Sequence, residues 1–161
     1  MSKQKLLTRD EYFRWLKTLP KGVCSFCENS DNIVVKTGTC WSLMFCIAPY
    51  WPNHLMLVPK RHFVEFTDMQ DDELTEFLDF YRYIMSKLRT VKLLHSDESP
   101  VDRYLFFWRK RENQIDPVTN VVKTDHFHFH IVPEKEHLWD SIVDNKATLV
   151  NVDILIKHFQ K

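Results

Sequence analysis

The sequence predicts an α+β fold, an antiparallel sheet of about five strands with one long helix packed on it. Three observations predict it. Short apolar runs at Ile33–Lys36, Trp41–Ala48 and His54–Val58 are separated by turn residues, the pattern of an antiparallel meander. A single long amphipathic segment covers about 70–92. Two further strand patterns, Tyr104–Trp108 and His126–Val132, follow it. The 161 residues suit one domain, 1–161, with its core at about 24–135.

Thr8 and Glu11 form a capping box, and Tyr12, Phe13 and Leu16 recur at helical spacing, so 9–18 reads as a short helix. Pro20, Lys21 and Gly22 end it, and Cys24-Ser25-Phe26-Cys27 lies in the loop beyond. Gly38 sits in the turn after the first strand. Pro49-Tyr50-Trp51-Pro52-Asn53 is a turn, because two prolines remove two ladder donors. Pro59 is expected to stop the third strand. In the long helix Leu74, Phe77, Leu78, Tyr81, Ile84, Met85 and Leu88 follow the i, i+3, i+4, i+7 pattern, with acids at its start where the dipole favours them. Residues 109–118 read as a loop or hairpin tip, Val121-Val122 as the start of a return strand, and Pro133 as the end of the last strand. The last dozen residues read as helix.

Lys and Arg total 22, as do Asp and Glu, so the net charge is zero. Neutrality argues against a nucleic-acid coat or a polybasic membrane surface. Only Gly22 and Gly38 are present. No GxGxxG or GxxxxGK[ST] loop can be built from them, which excludes dinucleotide-binding and P-loop motifs. The polar Met1–Lys5 segment is followed by no long apolar run, and Leu43–Trp51 is far short of the ~20 residues that span a bilayer. No leader or membrane span is expected, so the cytosol is the expected compartment and disulfides are not.

The chemistry concentrates in Asp125-His126-Phe127-His128-Phe129-His130-Ile131-Val132-Pro133. On a strand, His126, His128 and His130 share one face with neighbours about 6.6 Å apart. Phe127, Phe129 and Ile131 line the other face and pack beneath the long helix. Three histidines at period two read as a solvated face, as a zinc site on all three rings, or as a nucleophile flanked by helpers. Imidazole titrates near neutrality, so a neutral ring can attack while neighbours donate. The Cys24/Cys27 pair reads as metal or redox chemistry, and Cys40 and Cys46 as packing. Trp41, Phe45 and Trp51 either wall a purine pocket or, more commonly for strand aromatics, fill the core. Arg109, Lys110, Arg111 and Lys123 either attract a polyphosphate or form a solvated tip. His54 is a phosphate-side or structural histidine, or a satisfied core one; His95, His137 and His158 receive no role.

His-x-His-x-His followed by two apolar residues resembles the signature of the histidine triad (HIT) family. Cys24-Ser25-Phe26-Cys27 resembles the Cys-x-Phe-Cys of many members, and Pro49 to His62 resembles the family's Pro-x-His, apolar strand, Pro-x-x-His run. Pro-Tyr-x-Pro-x-His and Asp-His-x-His-x-His look closest to the branch acting on diadenosine polyphosphates. The resemblance implies a HIT-like fold, a homodimer, and a nucleotide hydrolase cleaving at the α-phosphate of a dinucleoside polyphosphate or nucleoside phosphoramidate through a nucleotidyl-histidine intermediate. By the same resemblance His128 is the nucleophile, His130 a phosphate-contacting helper, and His126 part of the catalytic triad. Cys24, Cys27, His62 and His126 would together hold one structural zinc. The position usually occupied by a ribose-holding Asp or Asn is Cys46. The positions ahead of the triad that usually carry Ser, Thr or Gln are Val122 and Lys123, with Thr124 one residue displaced; Lys123 and Thr124 are the expected phosphate and leaving-group contacts. The alternatives are a diadenosine polyphosphate phosphorylase, which uses phosphate in place of water, and a zinc-containing nucleotide- or nucleic-acid-binding module without turnover.

Overall fold

Among the described residues, five strands form one antiparallel sheet. They are β1 (Val34–Thr37), β2 (Trp41–Phe45), β3 (Leu55–Pro59), β4 (Arg103–Trp108) and β5 (Phe129–Glu134), in the spatial order β1-β2-β3-β5-β4. Helices α1 (Arg9–Thr18), α2 (Asp71–Leu88) and α3 (Val152–Gln160) accompany it, with a single 3-10 turn at Phe66–Asp68. The computed structural model describes residues 7–20, 23–28, 32–95, 98–108, 125–134 and 152–160. The expected return strand at Val121-Val122 and the basic residues Arg109, Lys110 and Arg111 lie outside these residues.

The helices start where their caps dictate. The Thr8 hydroxyl accepts from the Glu11 N–H at 3.2 Å, and the Glu11 carboxylate accepts from the Thr8 N–H at 2.8 Å. These bonds satisfy two of the orphan donors at the start of α1. α2 opens on Asp71, Asp72 and Glu73 and ends at Leu88, short of the expected 92. There the Thr90 hydroxyl donates to the Ser86 and Lys87 carbonyls, a side-chain bond that competes with continued helix.

Alternation then sorts the side chains. Trp41, Leu43 and Phe45 of β2, Leu55 and Leu57 of β3, and Phe127, Phe129 and Ile131 all face Phe77, Phe80, Ile84 and Leu88 of α2. Leu155 and Phe159 of α3 complete this core. Trp41 is fully buried, its indole N–H donating to the Glu73 carbonyl at 2.8 Å. Trp41 and Phe45 are therefore core residues and wall no purine pocket. The opposite face carries a small cluster of Met44, Cys46, Met56 and Val58 with Phe26 against it, and beside it the histidines.

β5 differs from expectation at both ends. The regular ladder begins at Phe129, paired with Leu57. Two residues earlier the partner would be Pro59, which has no N–H to give. The chain diverges there, and the Phe127 N–H donates to the Phe63 carbonyl at 2.7 Å. His126 and His128 are thus on extended chain leading into the strand, with the alternation kept. At the other end the strand passes through Pro133, which pairs with Tyr104. β3 has already finished opposite Ile131, so the missing proline donor faces no ladder. β3 likewise includes Pro59, paired with Trp41 at the strand's end.

Gly38 and Asn53 have special backbone demands that bear on the site. A Cβ on Gly38 would stand 2.0 Å from a Glu76 carboxylate oxygen and 2.5 Å from the Phe80 ring, so only glycine lets α2 approach this turn. Asn53 has a φ of 65°, the left-handed region in which asparagine substitutes for glycine. It turns the chain directly into His54.

Candidate active site and metal centre

The site is built on the sheet face away from α2. The hydrogen bonds of the three triad histidines assign each ring a different tautomer. Nε2–H of His126 donates to the Pro59 carbonyl at 2.9 Å, because a carbonyl only accepts. Its Nδ1 lone pair is turned toward Cys24 Sγ at 3.3 Å and Cys27 Sγ at 3.5 Å. In His128 the assignment is reversed. Nδ1–H donates to the His126 carbonyl at 2.7 Å, so the lone pair of the neutral ring resides on Nε2.

His130 is set from a distance. The Tyr50 backbone N–H donates to Nδ1 of His54 at 3.2 Å. The hydrogen of His54 is therefore on Nε2, and it donates to Nδ1 of His130 at 2.9 Å. His130 then carries its hydrogen on Nε2. Both rings are buried, at 0% and 3% exposure. The Phe107 ring stacks on His130 at 4.8 Å, and Tyr50 stacks on His54 at 5.0 Å. The relay His54–His130 runs in a low-dielectric setting where such bonds strengthen.

His128 lies between these ends and is partly exposed. The His130 ring meets it edge-on at 4.5 Å, and Phe26 covers it at 4.9 Å. Phe26, the residue between the cysteines, also touches His126 at 5.4 Å. It joins the Cys24–Cys27 loop to His128 and to the Met44/Cys46/Met56/Val58 cluster.

One ligand atom from each of Cys24, Cys27, His62 and His126 lies within 4.8 Å of all the others. Cys27 Sγ is 3.6 Å from Nδ1 of His62. Four ligands at tetrahedral zinc, with bonds of about 2.0–2.3 Å, stand roughly 3.5 Å apart, so these residues fit the ion. Burial pushes His126 down to about 4, against a partial offset from its bond to Pro59; a neutral imidazole is the form that ligates. Burial, then the hydrogen bond to Cys24, pushes the Cys27 thiol up to about 11. Arg61, beside His62, is clamped to buried Glu73 by bonds of 2.7 and 2.6 Å and donates to the Asp68 carbonyl at 2.7 Å. This fixes the segment between β3 and α2 that presents His62. The triad rings are not one metal site: Nδ1 of His126 faces the cysteines, and Nδ1 of His130 receives His54.

The structure therefore brings together His126, His128 and His130 on one face, and Cys24, Cys27, His62 and His126 in one cluster. Cys46 lies on the same face, 9% exposed, and its backbone N–H donates to the His54 carbonyl at 3.0 Å. Lys123 and Thr124 lie outside the described residues. From the sequence, His54 fits either a site or a core role, and no local signal marks Tyr50 or Phe107. The one signal for His54 was its place on the same strand face as Met56 and Val58; nothing short of the β4–β5 register places Phe107 against His130.

Comparison with known proteins places the chain in a family. The chain is 26% identical over 143 residues to an adenosine 5′-monophosphoramidase of Candida albicans, covering 86% of this chain and 88% of that protein. It is 27% identical over 116 residues to an uncharacterised HIT-like protein of Methanocaldococcus jannaschii, covering 71% and 78%. Among solved structures, a zinc-bound histidine triad family protein from Mycobacterium smegmatis superposes with a TM-score of 0.57 at 16% identity, covering 85% of this chain and 93% of that one. An ADP-glucose phosphorylase from Arabidopsis thaliana superposes with a TM-score of 0.63 at 16% identity; 94% of this chain covers 46% of that longer one. The HIT domain family pattern itself matches residues 27–137, well over half of the sequence, and the chain belongs to the HIT domain family.

Proposed function

We propose that the chain is a nucleotidyl-histidine hydrolase that cleaves at the α-phosphate of a dinucleoside polyphosphate or a nucleoside phosphoramidate. The observation that carries this reading is the tautomer of His128. Its Nδ1–H is held by the His126 carbonyl at 2.7 Å, which aims a neutral Nε2 lone pair from a partly exposed ring. Nε2 forms a bond to the α-phosphorus, and the phosphorus bond to the leaving group breaks, its electron pair going to a polyphosphate oxygen or, in a phosphoramidate, to a nitrogen that takes a proton from solvent and leaves as the amine. Nε2–H of His130 donates to a non-bridging oxygen and stabilises its developing charge. Water then attacks the phosphorus and gives up a proton to solvent, the N–P bond breaks with its electron pair returning to Nε2, and the nucleoside monophosphate leaves. Splitting one displacement into two lowers each barrier. Lys123 and Thr124 are the proposed phosphate and leaving-group contacts, and Cys46 the proposed ribose-side residue. The adenosine 5′-monophosphoramidase similarity supports a phosphoramidate among the substrates.

Cys24, Cys27, His62 and His126 would hold zinc. With four protein ligands the ion supplies structural cross-linking. The three catalytic histidines and this centre sit in one domain spanning 1–161. Phe66, Leu78 and Trp108 are 37%, 47% and 50% exposed, and Phe66 stacks on Trp108 at 5.7 Å beside edge strand β4. A second copy of the chain is the proposed cover for this apolar edge, giving a homodimer, which sedimentation of the pure protein would show. No helix of the described residues is long and apolar enough to cross a membrane; the cytosol is the proposed compartment.

The test is AMP release from diadenosine tetraphosphate and from adenosine phosphoramidate by wild type and His128→Ala side by side. Release by the wild type alone is expected. Equal release by both would overturn the reading, and stimulation by added phosphate with nucleoside diphosphate as product would make the enzyme a phosphorylase. A second reading, a nucleotide- or nucleic-acid-binding module without turnover, is favoured by Cys46. A buried thiol is a poor partner for ribose hydroxyls. Nucleotide binding without product across both substrates would support it.

A further inference from the structure

The relay that sets His130 starts at the Tyr50 N–H, in the turn between Pro49 and Asn53, where the Tyr50 ring stacks on His54. Pro49 and Pro52 have no N–H. Asn53 is in the left-handed region, and its side-chain amide, 2% exposed, makes no hydrogen bond among the described residues. The Tyr50 bond to His54 is already 3.2 Å long, so a shift of half an ångström would take it past useful geometry.

The turn is anchored from outside the site through Trp51. The Trp51 carbonyl accepts from the His54 N–H at 3.3 Å. Its indole N–H donates to Nδ1 of His95, also at 3.3 Å. His95 belongs to the segment between α2 and β4 and is 4% exposed. Its backbone is fixed in turn: the His95 N–H donates to the Ser99 carbonyl at 2.8 Å, and its carbonyl accepts from the Glu98 N–H at 3.0 Å. Leu94 and Pro100 bridge beside it, and the Val101 N–H donates to the Leu93 carbonyl at 3.0 Å. The segment between α2 and β4 thus offers one ring nitrogen to the tryptophan that lies between Tyr50 and His54.

We propose that His95 is a positioning residue for the histidine site: by holding the Trp51 indole it presents the Tyr50 N–H to His54 and so fixes the tautomer of His130. Its role is to orient other groups through the Trp51 indole. Its effect on turnover rests on the nucleotidyl-histidine reading, whereas its effect on the rings does not.

The experiment reads the imidazole nitrogens of the full chain by two-bond proton–nitrogen NMR, with thermal unfolding recorded in parallel. In the wild type, His54 and His130 are expected as single Nε2–H tautomers. In His95→Phe both are expected to become mixtures, while His126 and His128, fixed by the Pro59 and His126 carbonyls, keep their patterns. Trp51→Phe, which keeps an aromatic in place, is expected to reproduce the change, and the double variant to add nothing. His95→Asn offers a side-chain carbonyl to the indole and is expected to restore both rings. With the nucleotide substrates, kcat should fall about tenfold with KM unchanged, the loss expected of a misplaced proton donor. Unaltered His54 and His130 rings in folded His95→Phe and Trp51→Phe, or no recovery in His95→Asn, would overturn the proposal. A wild type with the predicted rings but no turnover would instead refute the hydrolase reading alone.

Discussion

The two ends of the triad are fixed by different physics. At one end His126 is held by the Pro59 carbonyl and turns its lone pair to two sulfurs within 3.5 Å. At the other, His130 is held by a neutral chain of hydrogen bonds running back to a backbone amide at Tyr50. The first end is a Cys/His cluster that fits a zinc ion, whose binding energy would be folding energy. The second is a dry relay whose worth is orientation. His128 hangs between them, tied to the first end by a backbone carbonyl and flanked at the second by the His130 edge. Damage at the metal end should therefore appear first in stability, and damage at the relay end first in rate.

The largest effect should come from the residue shared by both ends. His128→Ala is expected to lower turnover by at least about 10⁴-fold, as loss of a nucleophile does, with an unfolding midpoint close to wild type. A large fall in the midpoint would show that the ring is structural, and the contrast between the ends would lose its centre.

Next comes the metal end. Stripping the ion with a chelator, or Cys24→Ala, should cost about 3 kcal/mol and lower the midpoint by roughly 10 °C. Calorimetry with and without added zinc reads this directly. Loss of activity at a temperature where the chelated protein is still folded, with no change in the midpoint, would instead make the ion catalytic.

The Arg61–Glu73 clamp sharpens the same side. Its Arg61 bond holds the Glu73 carboxyl below the usual carboxylate range, more than burial raises it. A depressed acid contributes stability above its unfolded pKa and loses it as pH falls through the folded one. Wild-type stability should thus decline as pH drops below the ordinary glutamate range. Glu73→Gln should lack that part of the decline while costing roughly 2 kcal/mol at neutral pH. Urea titrations at several pH values would show both. If zinc affinity also weakens in Glu73→Gln, the clamp positions His62; an unchanged affinity limits it to the fold.

The smallest stability effect belongs to the relay. His54→Phe keeps the volume but removes the donor to His130. Turnover should fall by roughly 10²-fold, a typical loss for a proton-handling group, with a modest change in midpoint. The reverse result, a collapsed fold with residual rate, would erase the distinction between the two ends.

The legible part of the molecule was whatever repeats at a local period. Alternation around Phe127, Phe129 and Ile131 placed three histidines together and three apolar residues beneath α2. The i, i+3, i+4 spacing of Phe77, Ile84 and Leu88 marked the helix, and Thr8 with Glu11 its forerunner. The set Cys24, Cys27, His62 and His126 came from resemblance alone, and the structure brings it within ligand distance. What stayed hidden depends on register and on the choice of ring nitrogen. Nothing local says that β5 lies beside β3, which is what brings His130 within 2.9 Å of His54. Nor does a sequence say that Pro59 comes to lie opposite Phe127, where its missing donor ends the ladder, or that its carbonyl chooses the tautomer of His126. His95 is hidden for the same reason: its partner, Trp51, is 44 residues away and shares no pattern with it.

The central claim is that Nε2 of His128 bonds to the phosphorus of a nucleotide. The most direct measurement is rapid acid-free denaturation of the enzyme during turnover of adenosine phosphoramidate or diadenosine tetraphosphate, followed by mass spectrometry of the peptide spanning residues 125–134. The account predicts an adenylyl group on His128 in the wild type and none in His128→Ala. An adenylyl group on another residue, or turnover by His128→Ala, would contradict it.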